Sequence, residues 1–162
     1  LSRRSEKIIG AVISLIKRAE ELNLKKQANI MKNRARNFKF ATAINCIDGR
    51  VQLPVAEFIK KNYAVEYVDM ITVPGPDKVL SACRNMYEIG SLKDKLLFSY
   101  NNRDSKLIFI ISHYGCLGNP SVKNVHLKQL RIAMKKVKKW CAQAKVYGIW
   151  INKEWKAVLV KE

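Results

Sequence analysis

Acidic residues are scarce in this sequence: 13 Asp and Glu stand against 31 Lys and Arg in 162 residues, a formal charge of +18. Such a field draws anions, nucleic acid and acidic membrane surfaces among them, and says nothing about fold. A solvated basic surface is the favoured reading of it. Cysteines number four (Cys46, Cys83, Cys116, Cys141), too few for a disulfide framework in a domain this size, so the thiols are expected in a reducing compartment and free for metal binding. Long apolar runs are missing too. Arg3-Arg4 and Ile8-Ile9-Gly10-Ala11-Val12-Ile13 imitate the start of a signal peptide, but no small-residue cleavage site follows and Lys17-Arg18-Ala19-Glu20-Glu21 restores the charge. The run is also too short to span a bilayer. No internal repeat, low-complexity tract or linker is visible. What remains is a globular chain, 48% hydrophobic, long enough for one domain with a real core and expected to be soluble and cytoplasmic.

Periodicity predicts a helix from residue 6 to about residue 34, with Ile8, Val12, Leu15, Ala19 and Leu22 at three- and four-residue spacing. Its apolar stripe has no local sheet partner, so either a neighbouring subunit or its own domain must cover it. Phe40-Ala41-Thr42-Ala43-Ile44 reads as a strand buried on both faces. Pro54 is expected in the first turn of the next helix, whose buried side carries Val55, Phe58 and Ile59. Val65 to Val73 predicts a second strand, stopped by Pro74-Gly75-Pro76. Helices are expected over Asp77 to Tyr87 and, more briefly, Asp94 to Tyr100. Leu107-Ile108-Phe109-Ile110-Ile111 is the plainest strand and ends at His113. Gly118-Asn119-Pro120 predicts a helix start, Asn capping and Pro in the first helical position, for a helix running to about Ala144. Val122, Leu130, Met134, Val137 and Cys141 mark its apolar side; Lys123, Lys128, Arg131, Lys135, Lys138 and Lys139 mark the basic one. Val146 to Ile151 and Ala157 to Val160 close the chain as two strands around a turn near Asn152-Lys153.

Alternating strands and helices indicate βαβ units. The expected fold is α/β: a mostly parallel central sheet of four to five strands flanked by helices, with a C-terminal antiparallel strand. Residues 1–37 form an N-terminal helical extension and 38–162 the α/β domain. Ligands of such sheets bind beyond the carboxyl ends of the strands, where Cys46 and His113 both stand.

Two motifs carry chemistry there: Cys46-Ile47-Asp48-Gly49-Arg50 and His113-Tyr114-Gly115-Cys116. Two thiolates and an imidazole are a zinc set, and three good ligands without a nearby CxxC leave a fourth position open, the hydrolytic pattern. Zn²⁺ with two thiolates and a neutral imidazole sums to zero charge, so it acidifies bound water less than a site of neutral imidazoles alone. Asp48 either accepts the hydrogen bond of a zinc-bound hydroxide or ligates the zinc itself, closing the site. Arg50 is placed to hold Asp48 in a bidentate pair. The candidate metal ligands are therefore Cys46, Asp48, His113 and Cys116, and the candidate catalytic residues Asp48 and Arg50.

CxDxR followed by HxxC, each at a strand end, resembles the beta-class carbonic anhydrases over roughly residues 38 to 160, including Val146-Tyr147-Gly148-Ile149-Trp150 before a closing hairpin. The resemblance implies zinc on Cys46, His113 and Cys116, an Asp48–Arg50 dyad, and a carbonate dehydratase hydrating carbon dioxide to bicarbonate. It also implies a homodimer or higher homo-oligomer, with the N-terminal helix laid across a partner. Departures lie in the loops: Gly49 stands where most members have Ser, Val73-Pro74-Gly75-Pro76 replaces Arg-Asn-Ala-Gly, and Leu117-Gly118-Asn119-Pro120 follows Cys116. His126 is expected at the surface rather than relaying protons, Tyr114 either at the pocket or packed, and Cys83 and Cys141 as buried apolar residues.

Related readings keep the zinc and change the substrate to carbonyl sulfide or carbon disulfide, or let Asp48 close the site for good. A different class, a zinc-stabilised module whose basic helix contacts nucleic acid, is disfavoured because no nucleic-acid motif or interleaved aromatics accompany the charge. No membrane partner is expected.

Overall fold

The computed structural model describes residues 3–36, 39–82 and 85–160, with side chains in the first helix described over 9–27. The chain divides into two compact units, Leu1–Asn37 and Phe38–Glu162. The first holds helix α1, Arg3–Arg36. Its Ile9, Val12, Ile13, Ile16 and Leu22 are all exposed. No helix among the described residues is long and apolar enough to cross a membrane.

The second unit runs β1 (Phe40–Asn45), α2 (Gly49–Tyr63), β2 (Tyr67–Thr72), α3 (Pro76–Ala82), α4 (Met86–Asn102), β3 (Leu107–His113), α5 (Lys123–Trp140), β4 (Lys145–Ile151) and β5 (Ala157–Val160). The five strands form one sheet in the order β2-β1-β3-β4-β5. The first four are parallel and β5 is antiparallel to β4, as the sequence led us to expect. Continuous apolar runs become the central strands because both faces are covered. On one face Ala41, Ala43, Phe109, Ile111, Ile149 and Ile151 meet Val51, Val55 and Ile59 of α2. On the other, Ile44, Ile108 and Ile110 meet Leu80 of α3, Leu92 and Leu96 of α4, and Leu130, Met134 and Val137 of α5.

The order has one consequence for the site. From β1 the chain moves outward to β2, then returns to place β3 on the other side of β1, with Thr42 opposite Ile108 and Ile44 opposite Ile110. The carboxyl ends of β1 and β3 thus flank the reversal point where open α/β sheets hold ligands.

Element boundaries depart from the sequence reading at four places. α2 starts at Gly49, so Pro54 lies inside it rather than in its first turn; Asp48 caps the helix by accepting from the Arg50 amide. The helix expected over Asp77 to Tyr87 is two, α3 and α4, and the short helix near Asp94 is the second half of α4. Asn85 caps α4 by accepting from Glu88 N at 3.1 Å, and its Nδ2 also donates to Glu88 Oε2 at 3.4 Å. α5 starts at Lys123 with no side-chain cap, because Asn119 is occupied elsewhere and Val122, exposed, stands at the cap position. Strand β2 is shorter than Val65 to Val73, although both those valines are buried.

The largest correction concerns His126, which is 1% exposed rather than at the surface. With Leu130, Ala133, Met134 and Val137 it lies on the buried side of α5. Its Nδ1 is 2.5 Å from Asp77 Oδ2, and Asn119 Nδ2 donates to the same oxygen at 3.0 Å and to Gln129 Oε1 at 2.7 Å. This buried cluster ties the start of α3 to the loop before α5. Asp77→Ala removes the acceptor that His126 and Asn119 share and leaves the buried His126 Nδ1 without its carboxylate, and we expect it to lower unfolding free energy by about 3 kcal/mol, measured by urea denaturation. Cys141 is buried as expected; Cys83 lies outside the described residues.

Candidate metal centre

Cys46 follows β1 directly, and its position is fixed by polar side chains around it. Its backbone N–H donates to Asn45 Oδ1 at 2.9 Å, and Gln52 Nε2, on the first turns of α2, donates to Cys46 O at 2.6 Å and Asp48 O at 3.0 Å. Asn45 Nδ2 in turn donates to Gln52 Oε1 at 3.3 Å. The loop between β1 and α2 is therefore held from both flanks.

His113 is the last residue of β3. Its Nδ1 lies 2.9 Å from Tyr114 O. A carbonyl can only accept, so Nδ1 carries the proton and Nε2 is left with a bare lone pair. That Nε2 is buried and has no hydrogen-bond partner. Gly115, at φ 64, turns the chain in the left-handed region and brings Cys116 back toward β1. Cys116 Sγ then stands 3.7 Å from Cys46 Sγ, too far for a disulfide, and both thiols are free. One donor atom from each of Cys46, His113 and Cys116 lies within 4.8 Å of the others, and all three residues are buried.

The electrostatics of the pair favour a cation. A hydrogen bond from Cys116 holds the Cys46 thiol far below its ordinary value against the opposing effect of burial, with the facing His113 imidazole and then N–H groups of Gly75 and Asp48 assisting. The same hydrogen bond, burial and the Cys46 charge push Cys116 far up, against N–H groups of Asn119 and Gly118. Two adjacent buried thiolates repel, so the bare pair keeps one proton. A divalent ion would satisfy both sulfurs and the orphaned His113 Nε2 together, and the donor set fits a metal ion.

Behind Cys116 two backbones touch. A Cβ built on Gly118 would lie 2.6 Å from Gly75 N and 2.6 Å from Pro74 C. Backbone atoms cannot step aside as a flexible side chain would, so Gly118→Ala must shift the loop carrying Cys116. We expect metal affinity to fall about tenfold, read by competition with a chromogenic chelator.

Asp48 is not among the three clustered donors. Its Oδ1 accepts from Arg50 N and Arg50 Nε, both at 3.0 Å, and its Oδ2 accepts from Arg50 Nη2 at 2.6 Å. Of the two arrangements open to Asp48, the structure holds the one paired with Arg50. That pairing lowers its carboxyl from 3.8 to about 2.

The family model described as "Putative carbonic anhydrase" matches residues 36–161. The chain belongs to this carbonic anhydrase family. Among solved structures it is similar to a tetrameric beta-carbonic anhydrase of the filamentous ascomycete Sordaria macrospora, at 10% identity and TM-score 0.42 over 97% of this chain and 98% of that one. It is also similar to the beta-carbonic anhydrase CcaA, at 9% identity and TM-score 0.47 over 94% of this chain and 95% of that one. An apo form of carbon disulfide hydrolase stands at 9% identity and TM-score 0.47 over 94% and 91%. No curated protein matches the chain.

In this member of the family, the loop Val73-Pro74-Gly75-Pro76 is part of the site's frame, since it supplies the Gly75 N–H to Cys46 and the surface against which Gly118 packs. Sequence reasoning missed Asn45 and Gln52, whose roles depend on hydrogen bonds that no spacing rule announces. Tyr114 is exposed, and His126 faces Asp77 and the Trp150 ring. The basic residues of α5 expected on its outer side are exposed, with Lys138 Nζ also donating to Ala144 O at 2.6 Å.

Proposed function

We propose that this chain is a zinc-dependent carbonate dehydratase, converting carbon dioxide to bicarbonate, with Cys46, His113 and Cys116 as the protein ligands. The observation that carries the proposal is the convergence of two sulfurs and an unpartnered imidazole nitrogen in a buried cluster. A tetrahedral zinc with Zn–S bonds of about 2.3 Å separates its sulfurs by roughly 3.8 Å, and the observed spacing is 3.7 Å. Zinc held by these three residues would supply the acidity that makes a bound water nucleophilic toward carbon dioxide near neutral or mildly alkaline pH, the water's proton passing to buffer.

The protein's own groups then set direction. Asp48, kept ionised by Arg50, can only accept a hydrogen bond. It would accept a hydrogen bond from the attacking oxygen without taking the proton, so that the oxygen lone pair faces the substrate. Arg50 holds the carboxylate through the fork of its guanidinium, so the acceptor does not rotate away or move onto the metal. In this reading residues 1–37 are an extension whose exposed apolar residues pack on a second copy, giving a homo-oligomer, and residues 38–162 are the catalytic domain. Free thiols support a cytoplasmic location.

Stopped-flow hydration of carbon dioxide by zinc-loaded protein tests the proposal, with carbonyl sulfide and carbon disulfide assayed in parallel. Turnover of carbon dioxide is the expected result; turnover of only a sulfur-containing substrate would reassign the enzyme. Activity should climb between roughly pH 6.5 and 9, because two thiolates leave the metal less acidifying than a site with imidazoles alone. Asp48 does not contribute to that rise, having lost its proton near pH 2. Its linkage to stability lies at acid pH. The folded carboxyl titrates at about 2 against 3.8 without its partner, so the pair's stabilisation is present above pH 3.8 and lost as pH falls toward 2.

A further inference from the structure

Three non-glycine residues among those described adopt positive φ: Ala64, Asp104 and Trp155. The first closes α2 and the second follows α4, and both are small. Trp155, at φ 58, is bulky and lies in the turn between β4 and β5. Glycine is the residue that adopts this backbone without strain, and a large side chain there is an outlier. The turn is built to hold it. Asn152 Oδ1 accepts from Glu154 N at 3.1 Å and Lys156 N at 2.9 Å, Asn152 N donates to Lys156 O at 3.1 Å, and Trp155 N donates to Asn152 O at 3.1 Å. The resulting indole reaches across to the start of α2, where Arg50 Cζ stands 4.4 Å from the ring centroid.

Arg50 needs such support. Its side chain is 52% exposed, and the only hydrogen bonds described for it go to Asp48. A half-exposed ion pair samples several geometries and is weakly held in water. An aromatic face against the guanidinium plane restricts it while leaving its N–H groups free for the carboxylate. We propose that Trp155 is a positioning residue. Its ring clamps Arg50, and through Arg50 it keeps the Asp48 carboxylate at the metal centre in its accepting orientation. The proposal rests on the functional reading above for its effect on turnover, but the clamp itself is a property of the metal-free chain.

The test compares Trp155→Phe with Trp155→Leu. Both keep apolar bulk and carry the same backbone strain, but only Phe keeps a ring face. We expect Trp155→Leu to retain zinc and the wild-type KM while kcat falls roughly five- to tenfold, and Trp155→Phe to recover most of the loss. In an Arg50→Ala background, Trp155→Leu should add no further loss. In metal-free protein the Arg50 Nε–H proton resonance should be displaced upfield by the ring in wild type and Trp155→Phe, and return to its ordinary position in Trp155→Leu. Wild-type turnover in Trp155→Leu, or a Phe variant as slow as the Leu one, would overturn the clamp. An inactive wild type whose Arg50 resonance still responds to Trp155 would contradict the carbon dioxide reading and leave the clamp standing.

Discussion

Cys46→Ser is expected to remove both bound zinc and turnover. Cys46 contributes one of two sulfurs in a three-donor cluster, and its thiolate is the group that hydrogen bonds and nearby N–H donors hold ionised. A serine hydroxyl remains protonated near neutral pH and offers a harder, weaker ligand. Loss of outer partners of a metal ligand already costs about tenfold to a hundredfold in affinity, so loss of the ligand itself should exceed roughly a hundredfold. Carbon dioxide hydration should drop to the buffer background. The fold should survive, since the core of the sheet is apolar on both faces without Cys46. Metal analysis, stopped-flow hydration and far-ultraviolet circular dichroism of the same sample read the three consequences. Stoichiometric zinc with ordinary turnover in the variant would remove Cys46 from the site.

Asp48→Asn separates chemistry from metal binding. Asparagine has the same shape, and its amide oxygen still accepts from the Arg50 backbone N–H that Asp48 now caps at 3.0 Å. The charge is lost, and with it the bidentate hold of the guanidinium. The amide nitrogen also presents a donor where only an acceptor serves. Zinc content should therefore stay at the wild-type level while kcat falls roughly a hundredfold to a thousandfold, the scale seen when one preorganised hydrogen-bonding group is removed from a reacting centre. Unchanged turnover would mean that the pair with Arg50 only caps α2. Loss of zinc would mean that Asp48 belongs to the ligand set after all.

The candidate site, the meeting of Cys46, His113 and Cys116, was legible from the sequence because its residues end the two plainest strands. Continuous apolar runs such as Phe40 to Ile44 and Leu107 to Ile111 arise only where both faces are covered, and the rim at their carboxyl ends follows from parallel connections. That β1 and β3 are neighbours was not legible, since strand order depends on which crossovers pack best. The break between α3 and α4 left a signal in Asn85-x-x-Glu88, obscured by apolar periodicity that runs through it. Asn119 looked like a helix cap because its local context, Asn before Pro, is typical of one. A carboxylate 42 positions earlier, Asp77, competes for its amide and wins. His126 shares a helical face with Leu130, Met134 and Val137, so its burial was readable, but its partner came from another element. Trp155 could not have been found by any local rule, because the contact that gives it meaning exists only once β5 has turned back beside β4.

The central claim is that Cys46, His113 and Cys116 grip a single metal ion. X-ray absorption at the zinc edge, on protein purified without added chelator and analysed for metal content, tests it most directly. The account predicts one zinc per chain with two sulfurs and one imidazole nitrogen in its coordination sphere, the sulfur count falling by one in Cys46→Ser. A chain that neither carries nor takes up zinc, or a spectrum showing only oxygen and nitrogen neighbours, would contradict it.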